Sequence, residues 1–352
     1  MSKVLIIRLT SLGDVVFTLP LACALKDSDA DMQIGWLVAE KGLGIVKNNP
    51  CVDNCHFVPL NEWKKSPFSL KTFKEFLQIV KEIRKEKYDI AIDCQQMFKS
   101  LFLFCFSGAK RRITYKDARE LSVLGGNEFV IAKTDFRDFD YHIVERNLDF
   151  ARYLGVEPKE IRFALPDTSV EAKNKIDGLI KDVDNSKPIV VISPATTWQN
   201  KHWAEENWAK LIQSISEKCN LVFTGTDADN SLIQNILSKT DKSIKYVNLV
   251  GKTNIEELRE LFTRVNLVIS PDSGSANLAW ASTKPAVVTI FTCTPPKRFG
   301  PYGNDNKYFS VGSQLPCQPC FKKKCLLSQE QNICQNYPSV EEIMNIVNKL
   351  LL

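Results

Sequence analysis

The chain has 352 residues, 44% of them hydrophobic and 25% charged, with a formal net charge of +5. That length suits two α/β domains, and the composition excludes a disordered or fibrous chain. No stretch approaches the roughly 20 apolar residues that span a bilayer. The short apolar run at residues 4–7 stops at Arg8 and predicts no export signal. Eleven cysteines without such a signal predict reduced thiols and a cytoplasmic chain.

In chain order, residues 4–7 predict a strand, 10–14 a turn and 15–26 a helix. A second strand is expected at 34–38, and a charged helix over 73–87 leads into a third at 89–94. After Leu165-Pro166-Asp167 the cycle restarts, with strands expected at 189–192, 221–225, 267–270 and 286–290. Strand and helix in alternation predict parallel sheets covered by helices, an α/β chain of two Rossmann-like domains. The first is expected over residues 1–170 and the second over 171–337, with a last helix in 338–352 free to pack back on the first. Two such domains would face one another across a cleft, with ligands at the carboxyl ends of the strands.

Three loops at expected strand ends carry the chemistry. In Ser11-Leu12-Gly13-Asp14, Gly13 permits a tight turn, and Asp14 is either a helix cap or a general base. The second loop, 193–203, places Thr196, Thr197 and Lys201 before a helix, either as a phosphate cradle or as a polar loop with packing tryptophans. His202 reads as structural. In the third, 270–279, the small residues Ser273, Gly274 and Ser275 enter a helix whose N–H groups and dipole favour a diphosphate. Neither a Walker pattern nor G-x-G-x-x-G follows a strand, which argues against nucleotide hydrolysis and dinucleotide binding.

Basic residues gather at 64–65, 81–87, 110–112 and 322–324, as a solvated surface or as contacts to an anionic partner. No nucleic-acid-binding motif accompanies them, so no nucleic acid partner is expected. Cys317-x2-Cys320-x4-Cys325-x8-Cys334 is either a metal cluster or structural; its spacing fits no standard zinc pattern.

Six segments stand in register: 8–14 (RLTSLGD), 93–95 (DCQ), 118–120 (ARE), 142–147 (HIVERN), 201–203 (KHW) and 272–274 (DSG). In this order they resemble the bacterial lipopolysaccharide heptosyltransferases, glycosyltransferase family 9, most of all the heptosyltransferase I type. The resemblance implies a GT-B fold and an inverting, metal-independent transfer of heptose from ADP-L-glycero-D-manno-heptose to the Kdo region of the inner core, with no cofactor. It implies Asp14 as base and Lys201 at the donor phosphates beside Thr196 and Thr197. Asp272 falls near the donor sugar, with Ser273, Gly274 and Ser275 as the diphosphate nest. Arg119, with Ser11 and Gly13, falls on the acceptor side. The implied partners are ADP-heptose, a Kdo-lipid A acceptor and, transiently, the inner membrane surface. Asn277 departs from the family's usual histidine. A second-heptose or protein transferase and a non-catalytic nucleotide-sugar-binding paralogue are the alternatives.

Overall fold

The computed structural model describes residues 2–134, 138–303, 306–312, 315–325 and 333–351. It divides into two compact units, Met1–Asp167 and Thr168–Leu352. No helix among the described residues is long and apolar enough to cross a membrane.

The first unit is built on strands β1 (Lys3–Ile7), β2 (Gln33–Ala39), β3 (Asn54–Val58), β4 (Ile90–Asp93), β5 (Arg111–Tyr115) and β6 (Glu128–Val130). They form one parallel sheet in the order β3-β2-β1-β4-β5-β6. Val4, Leu5, Ile6 and Ile7 are all buried, because helices cover both faces of a central parallel strand. The Leu12–Ser28 helix is buried along most of its length and packs against the Ile143–Tyr153 helix. There Asn147 Nδ2 donates to Phe17 O at 2.9 Å and to Thr18 Oγ1 at 3.2 Å. The 142–147 segment therefore secures the helix that carries Asp14.

The second unit repeats the plan with β7 (Ile189–Ile192), β8 (Asn220–Phe223), β9 (Tyr246–Asn248), β10 (Leu267–Pro271), β11 (Ala286–Phe291) and β12 (Tyr308–Gly312). Its parallel order is β12-β11-β10-β7-β8-β9, the same winding as the first sheet. The helix expected to be free to pack back on the first domain is Val340–Leu351. It packs instead on the Glu205–Ile215 helix and β11 of its own unit. Its apolar stripe explains this, since Ile343 and Val347 are fully buried in the second unit's core.

In each sheet the chain reverses its direction of winding once, between β1 and β4 and between β7 and β10. Loops leaving the carboxyl ends of such a pair diverge and leave a crevice. All three loops singled out above leave one of these four strands.

Candidate functional site

At the β1–β4 switch point the chain gathers Arg8, Thr10, Ser11, Asp14, Gln95 and Lys99. Ser11 precedes the Leu12–Ser28 helix, and its N–H and Oγ donate to Asp14 Oδ2 at 3.0 and 2.8 Å. Arg8 Nη2 lies 2.7 Å from Asp14 Oδ1, and its Nη1 donates to Cys94 O. The carboxylate thus caps its helix and also sits at the strand ends with its side chain one-third exposed (33%). Gln95 Oε1 fixes the loop from the other strand by accepting from Leu9 N at 3.0 Å and Thr10 N at 2.9 Å. Buried Asp93 in turn holds the Gln95 and Gln96 N–H groups at 3.0 and 3.1 Å. Lys99, at the start of the Phe98–Cys105 helix, donates from Nζ to Thr10 Oγ1.

Burial by itself pushes the Asp14 carboxyl up. The Arg8 guanidinium and the two Ser11 hydrogen bonds outweigh it and hold the group below its ordinary value. Lys99 moves for related reasons. Burial and then the nearby Arg8 charge bring its ammonium down to about 8, with Asp14 pulling the other way. Asp93 is pushed up by burial despite its hydrogen bonds.

Gly13 does not make the tight turn expected of it. It lies buried in the first turn of the Leu12–Ser28 helix and is not among the residues of positive φ. Arg119 is exposed, on the segment whose Glu120 accepts from Phe98 N at 3.1 Å, next to Lys99 in sequence.

At the β7–β10 switch point, Lys201 Nζ pairs with Asp272 Oδ2 at 2.6 Å, with both side chains largely buried. Thr294, just after β11, donates to the same oxygen at 2.6 Å. Thr196 Oγ1 donates to Asp272 O at 3.1 Å, which ties the two loops together, while Thr197 is exposed. His202 Nε2 lies 2.9 Å from Thr196 O, and Trp198 lies under Lys201 with 4.9 Å from Nζ to the ring centroid. Trp203 is a core residue whose Nε1 donates to Pro338 O at 2.8 Å.

Ser273 caps the Gly274–Ala281 helix, its Oγ accepting from Ala276 N at 3.2 Å and meeting Ser270 Oγ at 2.8 Å. The first N–H groups of that helix have no intrahelical acceptor, and Ser275 Oγ is buried without a partner among the described residues. A helix N-terminus beside an ammonium is a strong receptor for phosphate oxygens. Asn277 is buried one turn further in.

Lys99 and Thr294 were not singled out from the sequence, and Arg8 and Gln95 stood only within motifs without assigned roles. Gln95 reaches Leu9 and Thr10 from 86 and 85 residues away, and its place in the 93–95 segment was the only signal available for it. The C-terminal cysteines do come near one another. Burial first, then Cys320, Cys325 and Cys317, raises the Cys334 thiol to about 11. Among the described residues, no group of three or more His, Cys, Asp or Glu could hold a metal ion, and 326–332 lie outside those residues.

Comparison with known proteins identifies the family. The family model described as "Glycosyltransferase family 9 (heptosyltransferase)" matches residues 76–330. The lipopolysaccharide core heptosyltransferase OpsX of Haemophilus influenzae is 26% identical over 344 residues, covering 93% of this chain and 92% of that protein. Among solved structures, a family 9 glycosyl transferase from Veillonella parvula aligns with a TM-score of 0.80 at 17% identity, over 99% of this chain and 97% of that one. E. coli heptosyltransferase WaaC with ADP aligns at 0.75 and 21% identity, over 99% of each chain. These likenesses show the GT-B fold class expected from the sequence. The chain belongs to glycosyltransferase family 9, the heptosyltransferases.

Proposed function

From that membership we infer that the chain transfers heptose from ADP-L-glycero-D-manno-heptose to the Kdo region of a lipopolysaccharide inner core, with inversion and without a metal. Asp14 is the base. Its carboxylate takes the acceptor hydroxyl proton as that oxygen bonds to the anomeric carbon, and the bond from that carbon to the diphosphate oxygen breaks. The departing ADP carries the electron pair. Lys201 and the N-terminus of the Gly274–Ala281 helix stabilise its negative charge.

Thr196 and Thr197 flank the phosphates, Ser273, Gly274 and Ser275 form their nest, and Asp272 faces the donor sugar. Arg119, with Ser11 and Gly13, lies toward a Kdo-lipid A acceptor, whose anionic groups a guanidinium holds well. The enzyme works in the cytoplasm and touches the inner face of the cytoplasmic membrane transiently, where such an acceptor is embedded.

The observation that carries this reading is the Lys201–Asp272 pair at 2.6 Å beside the helix that begins at Gly274. Few other ligands call for a cation and a helix N-terminus together as a nucleoside diphosphate does. The test is ADP release from ADP-heptose, with and without Kdo-lipid A, for the wild type and Asp14→Ala. Acceptor-dependent release that the substitution abolishes supports the reading. Donor binding without release redirects it to another acceptor or to a binding-only protein, and no donor binding refutes it.

A further inference from the structure

Away from both half-sites, the first unit holds two cysteines in contact. Cys23 is buried on the Leu12–Ser28 helix, and Cys51 lies on the loop between the Leu43–Val46 helix and β3. Their sulfurs are 2.8 Å apart, and each residue is only 1% exposed. A disulfide holds its sulfurs at about 2.05 Å, so a movement of about 0.8 Å closes the bond.

The surroundings fix this pair and make its two thiols unequal. Asn49 Oδ1 accepts from Cys51 N at 2.9 Å, and Asn49 Nδ2 donates to Ala164 O at 2.8 Å. Ala164 N–H donates in turn to Cys23 Sγ. Arg162 donates to Cys51 Sγ and pairs with Asp27, with its own side chain 38% exposed. The hydrogen bond from Cys23 and the Arg162 charge together hold the Cys51 thiol below its ordinary value, although burial and Asp27 push the other way. The same contact, burial and the charge on Cys51 push Cys23 up. Elsewhere in the chain burial wins, as at Cys219, whose thiol rises to about 12. A sulfur with thiolate character beside a cation, with a second thiol in reach, is equipped to be oxidised and then resolved.

We propose that Cys23 and Cys51 are an oxidation site at which a hydroperoxide closes a disulfide, with Cys51 reacting first and Cys23 resolving it. The oxidant arrives past the half-exposed Arg162, and burial keeps bulkier oxidants such as glutathione disulfide away. The Cys51 sulfur attacks one peroxide oxygen and the O–O bond breaks. Hydroxide departs with the electron pair and takes up the proton that Cys51 had released, which leaves a sulfenic acid. The Cys23 sulfur then attacks Cys51, the S–O bond breaks, and the Cys23 proton leaves with that oxygen as water. Two thiols and one hydrogen peroxide thus give one disulfide and two waters. Where thiols are kept reduced, the pair rests open and closes only when peroxide rises. Closure ties the helix that begins beside Asp14 to the loop of Asn49, and it removes the sulfur charge that faces Arg162.

The test is peptide mapping of the full chain, reduced, desalted and then given a small excess of hydrogen peroxide at neutral pH. The wild type should show Cys23 and Cys51 joined in one chain, and dithiothreitol should release them. In Cys23→Ala the sulfenic acid has no resolving partner, so dimedone should label Cys51. In Cys51→Ala, Cys23 should stay a thiol. Arg162→Met should slow disulfide closure about fivefold, because the lost thiolate fraction outweighs the gain in nucleophilicity.

The wild-type map needs no substitution and so decides the matter even where a variant fails to fold. Cys23 and Cys51 both remaining thiols after peroxide has oxidised the exposed Cys317 would overturn the proposal. So would dimedone on Cys23 in Cys51→Ala, or closure at the wild-type rate in a folded Arg162→Met chain.

Discussion

Arg8 should set the acid limb of the pH–rate profile. The guanidinium lies 2.7 Å from Asp14 Oδ1 and is itself buried, so the pair is only partly reached by solvent. With the charge centres about 4 Å apart and an effective dielectric of about 20, the attraction is about 4 kcal/mol. The Asp14 side chain is one-third exposed, so water screening leaves only part of that attraction to favour the carboxylate.

In the wild type, Asp14 is held below its ordinary value, so the proposed base stays ionised through mildly acidic pH. In Arg8→Met, burial acts against the Ser11 hydrogen bonds and the neighbouring Lys99 charge only, and the carboxyl titrates higher. The acid limb of kcat/KM for ADP release should therefore move to higher pH, whereas Arg8→Lys keeps the charge and most of the wild-type profile. The sign for stability follows the same shift. A depressed carboxyl stabilises the fold above its unfolded pKa, and that stability is lost as pH falls through the folded value. Arg8→Met should therefore flatten the acid denaturation of the wild type. An unmoved acid limb in a folded Arg8→Met protein would refute this account of Asp14.

Asp14→Asn should cost about 10²–10⁴ in turnover and also lower the melting temperature, because the amide oxygen still accepts from Ser11 but the buried Arg8 guanidinium loses its counter-charge. Ser11→Ala should cost about 1 kcal/mol in thermal unfolding through the lost cap partner and far less in turnover. Lys99 loses its charge as pH rises through about 8, so KM for an anionic acceptor should climb above that pH in the wild type. In Lys99→Met, KM should be high at every pH, as steady-state acceptor titrations would show. Lys201→Met strands the nearly buried Asp272 carboxylate and should lower the melting temperature more than Lys201→Met with Asp272→Asn does, because a buried charge without its partner costs more than the absent pair.

Seven of the twelve described strands were legible because they are runs of β-branched and aliphatic residues buried on both faces. The other five lack that signature for a physical reason. β3, β6, β9 and β12 lie at sheet edges with one neighbour each, and Asn54-Cys55-His56-Phe57-Val58 is largely half-buried and polar. β5 opens on Arg111 and Arg112, whose side chains reach Glu128 and Gly125 O, so its first half reads as a charged loop. The loops holding Asp14, Lys201 and Asp272 could be found because small and polar residues follow apolar strands there. Lys99 could not. It sits on a helix of ordinary sequence, and only the parallel pairing of β1 with β4 brings that helix start to Thr10, 89 residues away.

The two switch points hold opposite charges in the same way, and this bears on how the reaction proposed above would be timed. Asp14 stands paired with Arg8, and Lys201 stands paired with Asp272. Each group expected to act is held by a counter-charge, which keeps a largely buried ion from being stranded when no substrate is bound. An incoming diphosphate offers Lys201 a second anionic partner, and the more negative charge builds on the leaving oxygen, the more that contact gains over the one with Asp272. An acceptor hydroxyl likewise competes for Asp14 most strongly as its proton begins to transfer. Interactions that strengthen along the reaction coordinate lower the barrier, whereas those already complete in the ground state do not. Thr294 Oγ1, at 2.6 Å from Asp272 Oδ2, remains as a donor to that carboxylate when Lys201 turns toward phosphate. Thr294→Val should accordingly hold Lys201 more tightly to Asp272, lowering kcat for ADP release while leaving KM for the acceptor unchanged.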